Sequence, residues 1–283
     1  MKVCVTGKHG QLATEFCSIA QSEKDMDLYS FPHNEWDITS LSQTQKILND
    51  HHPDYVLNTA AYTAVDLAEE EQDKAFLVNA KAVEMLANEC HRRKIKLVHI
   101  STDYVFNGKW YHPYTEKDDT NPINVYGKSK LQGEEIALEK GATVFRVSWL
   151  YSTTGKNFVN TMLRLAETKK QISVVSDQIG TPTYAKDAAR WILKAIKQKL
   201  PSGLYHFSNE GVASWYDFAV AIFQLTKTQV EVIPIESKDF PTKAKRPYYS
   251  VLSKQKIKSH IQEKIPHWFE ALQECLTEKR SIL

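Results

Sequence analysis

Short apolar runs alternate with amphipathic stretches along the first half of the chain. Lys2-Val-Cys-Val-Thr6 reads as a buried strand, after which Leu12, Phe16, Ile19 and Ala20 recur at helical spacing. A second strand is expected over Asp27–Phe31, with a helix starting near Leu41. A third follows over Asp54–Ala60, then a long helix over Asp73–Arg93. A strand over 96–102, a helix carrying Tyr126 to about Lys140 and a strand over Thr143–Ser148 complete the series. Near-continuous apolar strands separated by helices predict a parallel sheet covered on both faces, an α/β Rossmann-type doubly wound fold. Ligands of such sheets bind outside the strand carboxyl ends. Thr6/Gly7, Ala60/Ala61, Thr102 and Trp149 are therefore expected to converge on one crevice.

Beyond residue 150 the pattern loosens. Short strands are expected over Ile172–Val175, Gly203–Phe207 and Val230–Pro234, among helices over Asn157–Thr168, Tyr184–Lys199 and Ser214–Thr226. The expected division is a dinucleotide-binding Rossmann domain over 1–150 and a smaller carboxyl-terminal α/β region over 151–283, mainly substrate-binding, with the chain free to cross back to the sheet.

The first turn carries candidate chemistry. Gly7-Lys8-His9-Gly10-Gln11-Leu12-Ala13 lies between a strand and a helix, the context a glycine motif needs to bind a dinucleotide. Gly7 permits the tight turn, Gly10 leaves room for a pyrophosphate, and the helix amino terminus offers N–H groups and the positive dipole end. The second strand ends in Phe31-Pro32-His33 without the carboxylate that usually holds a ribose diol, which leans toward NADPH over NADH. Asp37 either caps the helix near Leu41 or meets the adenine.

The second candidate is Tyr126-Gly127-Lys128-Ser129-Lys130. A tyrosine and a lysine four apart share a helix face, and Ser101-Thr102 stands at the end of the preceding strand. This set can move a proton to or from a carbonyl or alcohol oxygen. Phenol titrates near about 10 in water. An ammonium about 4 Å away favours phenolate by up to about 4 kcal/mol at an effective dielectric of about 20, so Tyr126 is expected to be drawn toward neutrality.

Composition narrows the partners. A formal net charge of +2 over 283 residues leaves no basic stripe for nucleic acid. No apolar stretch reaches membrane-span length. The chain enters a core strand at residue 2, leaving no room for a signal peptide, and Cys4, Cys17, Cys90 and Cys275 lack metal-like spacing. A cytoplasmic protein with free thiols is expected.

The segments Val5–Leu12, Asn58–Asp66, Ser101–Phe106, Asn124–Lys130, Arg146–Tyr151, Asn157-Phe-Val, Ser176–Thr183, Tyr205–Asn209 and Arg246-Pro247 carry a resemblance over nearly the whole chain. It resembles the extended short-chain dehydrogenase/reductases, and within them the dTDP-4-dehydrorhamnose reductases. That resemblance implies reduction of the C4 ketone of a dTDP-linked 6-deoxy-hexulose to dTDP-L-rhamnose, with hydride from NADPH or NADH, for polysaccharide biosynthesis. It implies Tyr126 as the acid for the C4 oxygen, Lys130 as the partner lowering its pKa and holding ribose hydroxyls, and Thr102 as a hydrogen-bond partner of the substrate oxygen. Gly10, Gln11 and Leu12 would lie under the pyrophosphate, Asp37 and Ile38 at the adenine, and Ala61, Tyr62 and Thr63 along the ribose. Val65 and Asp103 would border the sugar, and Tyr104 and Trp149 would face the nucleotide sugar, Trp149 having core packing as its rival reading. Arg246 suits a diphosphate or a surface position. Asp66 and Glu69–Glu71 read as a solvated acidic face or a helix amino-terminal charge bias.

Some relatives hold magnesium at a dimer interface with a carboxylate near the first helix. Glu15 is the candidate here, without visible companions, so no metal is expected. A homodimer is left open, as are a reductase or epimerase for another 4-keto-6-deoxy sugar and a non-catalytic regulatory subunit. Ala13 and Asn107 depart from the family pattern at positions that tolerate them.

Overall fold

The computed structural model describes residues 1–282. Its centre is a parallel sheet built first from β1 (Lys2–Thr6), β2 (Asp27–Phe31), β3 (Tyr55–Asn58), β4 (Lys96–Thr102) and β5 (Thr143–Val147). Four short strands follow: β6 (Leu150–Tyr151), β7 (Gln171–Val175), β8 (Ile179–Gly180) and β9 (Thr183–Tyr184). β10 (Gly203–Phe207) then returns to the main sheet beside β5, so the strand order is β10-β5-β4-β3-β1-β2. β11 (Ala213–Ser214) pairs with β8 and β12 (Glu231–Ile235) with β7.

The sheet is doubly wound because its strands are buried on both faces. On one side α1 (Gln11–Ala20) packs with Leu12, Ala13 and Phe16 against Val3, Val5 and Val98. The opposite side is covered by α2 (Leu41–His51), with buried Val56, Leu97 and Val144 beneath. The chain winds to β2 on one side of β1 and to β3 on the other. That reversal opens a crevice at the carboxyl ends of β1 and β3.

The stretch expected as one helix over 73–93 is interrupted. After a separate short helix α3 (Val65–Ala68), it begins with α4 (Gln72–Phe76), passes through a π-turn over Leu77–Lys81, and continues as α5 (Ala82–Arg92). π-turns are rare, occur mostly as single turns inside α-helices, and are frequent at functional sites. α6 (Val125–Glu139) carries the Tyr126 segment, its amino terminus capped by Asn124, whose Oδ1 accepts from Gly127 N at 2.7 Å.

α7 (Phe158–Ala166), α9 (Trp215–Thr226) and α11 (Trp268–Ile282) form a second core with β7 and β12. Between them α8 (Ala185–Lys197) and α10 (Gln255–His260) go back to the main core through Trp191, Ile192 and Ile257. Among the described residues no helix is long and apolar enough to cross a membrane.

Candidate active site

Parallel strands place all their carboxyl ends on one edge, and the expected site residues assemble there. Gly7 follows β1 with φ +70°, in the left-handed region that favours glycine, and an added Cβ would lie 3.0 Å from Thr59 Oγ1. Gly10 N donates to Gly7 O at 2.7 Å, closing the turn. No side chain caps α1 at Gly10, so its first N–H groups face the crevice mouth. An exposed glycine before an uncapped helix start leaves room and donors for a pyrophosphate, so the residues present fit a dinucleotide. Leu12 is buried under this turn, and the Gln11 side chain accepts from Asn157 Nδ2 at 2.9 Å.

At the far end of the turn Ser40, not Asp37, caps α2. Asp37 instead accepts from Thr39 N at 2.9 Å and Thr39 Oγ1 at 2.8 Å, holding the loop after β2, while Ile38 is buried in the core beside it. The exposed Lys8 sits against the end of β2, its backbone N donating to Phe31 O at 3.1 Å.

A buried polar row crosses three strands in register. Thr6 Oγ1 donates to Asn58 Oδ1 at 2.7 Å, and Asn58 Nδ2 donates to His99 Nδ1 at 3.1 Å. Thr6 Oγ1 also accepts from the N–H groups of Thr59 and Ala60, both at 3.2 Å, which shapes the start of the Ala61–Val65 loop. His99 is held neutral by burial first and by the Lys130 charge second. Asn58 and His99 were missed as site residues, although a polar side chain in the middle of an apolar strand run was a readable signal.

Asn79 was missed as well. From the π-turn its Oδ1 accepts from Tyr62 N at 2.8 Å, while its Nδ2 donates to Tyr62 O and Ser129 Oγ, both at 3.0 Å. It thereby ties the Ala61-Tyr62-Thr63 loop to α6 between Tyr126 and Lys130. Nothing in the linear pattern marked it, because a π-turn changes which face a residue presents.

Thr102 ends β4, and its Oγ1 donates to Asp103 Oδ1 at 3.1 Å while accepting from Tyr104 N at 3.2 Å. Gly127 lets α6 press onto this corner, since a Cβ there would lie 2.3 Å from Tyr104 O. The Tyr104 and Tyr126 rings then meet edge to face at 5.8 Å. Lys130 is buried and donates from Nζ to Ile100 O at 2.5 Å.

The electrostatics correct one expectation. Tyr126 is not drawn toward neutrality; burial pushes its phenol up to about 12, with Asp103 adding to the rise and the Thr102 hydroxyl opposing it. Lys130 is lowered to about 8, also by burial, with Glu134 one turn along α6 opposing. Taking both groups out of water disfavours phenolate and ammonium alike, and this exceeds the mutual attraction that the spacing suggested. Tyr126 is consequently protonated at neutral pH. Burial likewise raises Asp103 to about 7, and its Oδ2 has no hydrogen-bond partner.

The acidic run is part-exposed, with Asp66 in the first turn of α3, and each of its carboxylates has a partner. Asp66 receives both arms of Arg246, at 3.1 and 2.7 Å. Glu69 accepts from Val125 N at 2.9 Å at the start of α6, Glu70 pairs with Lys243, and Glu71 accepts from Tyr62 OH at 3.0 Å. The guanidinium fork that suited a diphosphate is engaged by Asp66, next to Val65 in the chain, and it also lies beside Tyr104. Tertiary folding supplies these partners from 178 to 180 residues away in the case of Asp66.

Trp149 is half-buried and takes φ +47°, which for a bulky residue costs on the order of 1–2 kcal/mol and persists only where the surroundings enforce it. One indole face is covered by Trp215. Glu15 accepts from Ser152 Oγ at 2.5 Å. The carboxylate that acts on it, Glu278 of α11, is paired with Lys186, and Lys186 and Arg190 also engage Glu274, at 3.3 and 3.0 Å. Among the described residues no group of three or more His, Cys, Asp and Glu side chains is placed to hold a metal ion.

This arrangement is similar to known proteins over its full length. The model of the RmlD substrate binding domain matches residues 1–281. The spore coat polysaccharide biosynthesis protein SpsK of Bacillus subtilis is 42% identical, over 99% of this chain and 98% of that protein. A dTDP-4-dehydrorhamnose reductase of Sinorhizobium fredii is 38% identical, over 96% of this chain and 95% of its own. The crystal structure of dTDP-4-dehydrorhamnose reductase from Bacillus anthracis in complex with NADP superposes with a TM-score of 0.94 at 39% identity, covering 98% of this chain and 99% of that one. On sequence and on structure, from end to end, this chain belongs to the RmlD substrate binding domain family, alongside the dTDP-4-dehydrorhamnose reductases.

Proposed function

We propose that this protein reduces the C4 ketone of dTDP-4-dehydro-6-deoxy-L-mannose to dTDP-L-rhamnose with NADPH, and that NADH also serves. The observation that carries this reading is that Tyr126 and Lys130 of α6 both reach the carboxyl-terminal part of β4, at the Thr102 hydroxyl and at Ile100 O, in the same sheet as an uncapped glycine turn. Residues 1–150 carry the cofactor site and 151–283 contribute mainly to the sugar nucleotide.

Gly7, Gly10, Gln11 and Leu12 would hold the pyrophosphate, Asp37 and Ile38 the adenine end, and Ala61, Tyr62 and Thr63 the ribose. When bound, the nicotinamide supplies a hydride to C4. As the C4–O double bond opens, Tyr126 gives its phenolic proton to the oxygen, and the protonated phenol favoured by burial is the state that reduction requires. The Thr102 hydroxyl would turn its one proton from Asp103 to the same oxygen, and the Lys130 ammonium would offset the phenolate left behind. Val65, Asp103 and Tyr104 border the sugar. Arg246 serves the diphosphate by exchanging Asp66 for a phosphate with matching bidentate geometry.

Incubation with the 4-keto-rhamnose nucleotide and NADPH, followed by NMR of the product, tests the reading. The C4 configuration of rhamnose is expected; the talose epimer or no turnover would overturn it. Cofactor choice is a separate expectation. No carboxylate closes β2, and Lys8 stands at its end, so a 2′-phosphate meets no like charge. NADPH should be used at least as well as NADH, by a margin under about tenfold, or ~1.4 kcal/mol. Steady-state comparison at saturating sugar nucleotide decides it, and a clear NADH preference would contradict the argument.

A further inference from the structure

The segment Asp177-Gln-Ile-Gly-Thr-Pro-Thr183 is bolted to the end of β5. Ser148 Oγ donates to Thr181 O at 2.8 Å, Thr183 N donates to Trp149 O at 3.1 Å, and Leu150-Tyr151 pairs with Thr183-Tyr184. These bonds hold Trp149 at φ +47°. A Cβ on Gly180 would fall 2.5–2.7 Å from Cε2, Cζ2 and Nε1 of its indole, so only glycine leaves the ring where it stands. Trp215, first residue of α9, lies parallel to the same indole with centroids 3.6 Å apart and planes 4° apart. Phe158 backs Trp215 at 4.7 Å. The two sides of this clamp are hydrogen-bonded to each other, since β8 pairs Ile179 and Gly180 with Ser214 and Ala213, immediately before Trp215. Ser214 and Asp217 in turn fix the start of α9 by reciprocal capping.

We infer that Trp215 and Gly180 are positioning residues of the sugar-nucleotide site, holding the Trp149 indole so that it meets the sugar already ordered. The inference rests on the reading of Trp149 as a substrate contact. A ring held in one orientation has no rotamer freedom left to lose when the ligand arrives, so the clamp acts on sugar-nucleotide affinity and not on the proton transfer at Tyr126. The glycine of this motif has a role in the same clamp, because it keeps one side of the indole free of any side chain.

The test combines circular dichroism with kinetics on Trp215→Phe, Trp215→Ala, Gly180→Ala and Trp149→Ala. Two parallel indoles in van der Waals contact give a far-ultraviolet exciton couplet, expected in the unmodified protein and absent from both Trp215 variants. Trp215→Ala and Gly180→Ala are expected to raise KM for the 4-keto-sugar nucleotide by about tenfold, with kcat and KM for NADPH within about threefold. Trp215→Phe keeps an aromatic face, so its KM should stay within about threefold of the unmodified protein. If Trp149→Ala raises this KM and Trp215→Ala does not, the clamp is wrong while the site reading stands. If Trp149→Ala leaves KM unchanged, the substrate contact itself is wrong and the clamp falls with it. Loss of melting temperature and of both KM values together in Trp215→Ala, unrelieved by Trp215→Phe, would return Trp215 to the hydrophobic core and overturn the inference.

Discussion

Replacing Tyr126 with phenylalanine is expected to lower turnover by roughly two to four orders of magnitude while leaving NADPH affinity nearly unchanged. The variant keeps the ring, and with it the edge-to-face contact to Tyr104 at 5.8 Å, so packing around β4 and α6 is preserved. What it loses is the one hydroxyl placed beside Thr102 with a proton to give. A variant that keeps more than about a tenth of the activity would exclude Tyr126 as the donor. The pH profile adds a second reading of the same site. Lys130 is charged below its pKa, and burial brings that value down to about 8 from the ordinary lysine range. The ammonium that offsets the phenolate is therefore lost as pH rises through about 8, and kcat/KM should fall there, while Tyr126, at about 12, stays protonated. Lys130→Arg should move that limb to higher pH if Lys130 is its origin; an unmoved limb assigns it to another group.

The largest stability effect is expected from Arg146→Met. Arg146 lies near the end of β5 and Glu134 sits on α6, both almost fully buried, with Nε donating to the two carboxylate oxygens at 3.1 and 3.0 Å. The guanidinium also lies 4.9 Å over the Phe106 ring and donates to His206 Nε2 at 3.3 Å. Removing the cation strands Glu134 in a dry interior, which costs about 3–5 kcal/mol, far more than the loss of a few contacts. Arg146→Met combined with Glu134→Leu removes both charges and should recover most of that loss. Urea denaturation of the single and double variants measures both terms. A single variant within about 1 kcal/mol of the unmodified protein, or a double variant no better than the single, would mean that the pair is not desolvated as its burial implies. Because Glu134 is one turn beyond Lys130, the double variant should also lower the pH at which activity is lost, since the nearby carboxylate favours the ammonium.

The residues around Asp66 bear on how the site receives its substrate. Asp66 and Arg246 are joined by two hydrogen bonds, and Lys243 pairs with Glu70, so the 243–246 segment is held against α3 and the turn after it. On the proposed reading, a diphosphate arriving at Arg246 would compete with Asp66 for one fork. The gain in binding is then the difference between two bidentate pairs and not the full strength of either.

The sequence by itself determined the parts of this protein whose signals are local. The alternation of β1 to β5 with helices, the strand-turn-helix setting of Gly7 and Gly10, and the shared face of Tyr126 and Lys130 all depend on neighbours within a few residues, where strand and helix periods act. On α6 Tyr126 reaches the Thr102 hydroxyl, and Lys130 reaches Ile100 O two residues earlier on β4. Tertiary structure alone decided what depends on distant partners. The return of β10 to the sheet beside β5, the π-turn that aims Asn79 at Tyr62 and Ser129, the pairing of Asp66 with Arg246 and the stacking of Trp149 on Trp215 each join segments that no period connects. The protonation states belong to the same class. A Tyr/Lys spacing reports attraction between two charges, but only the fold reports how much water each has lost, and for Tyr126 that loss sets the direction of the shift.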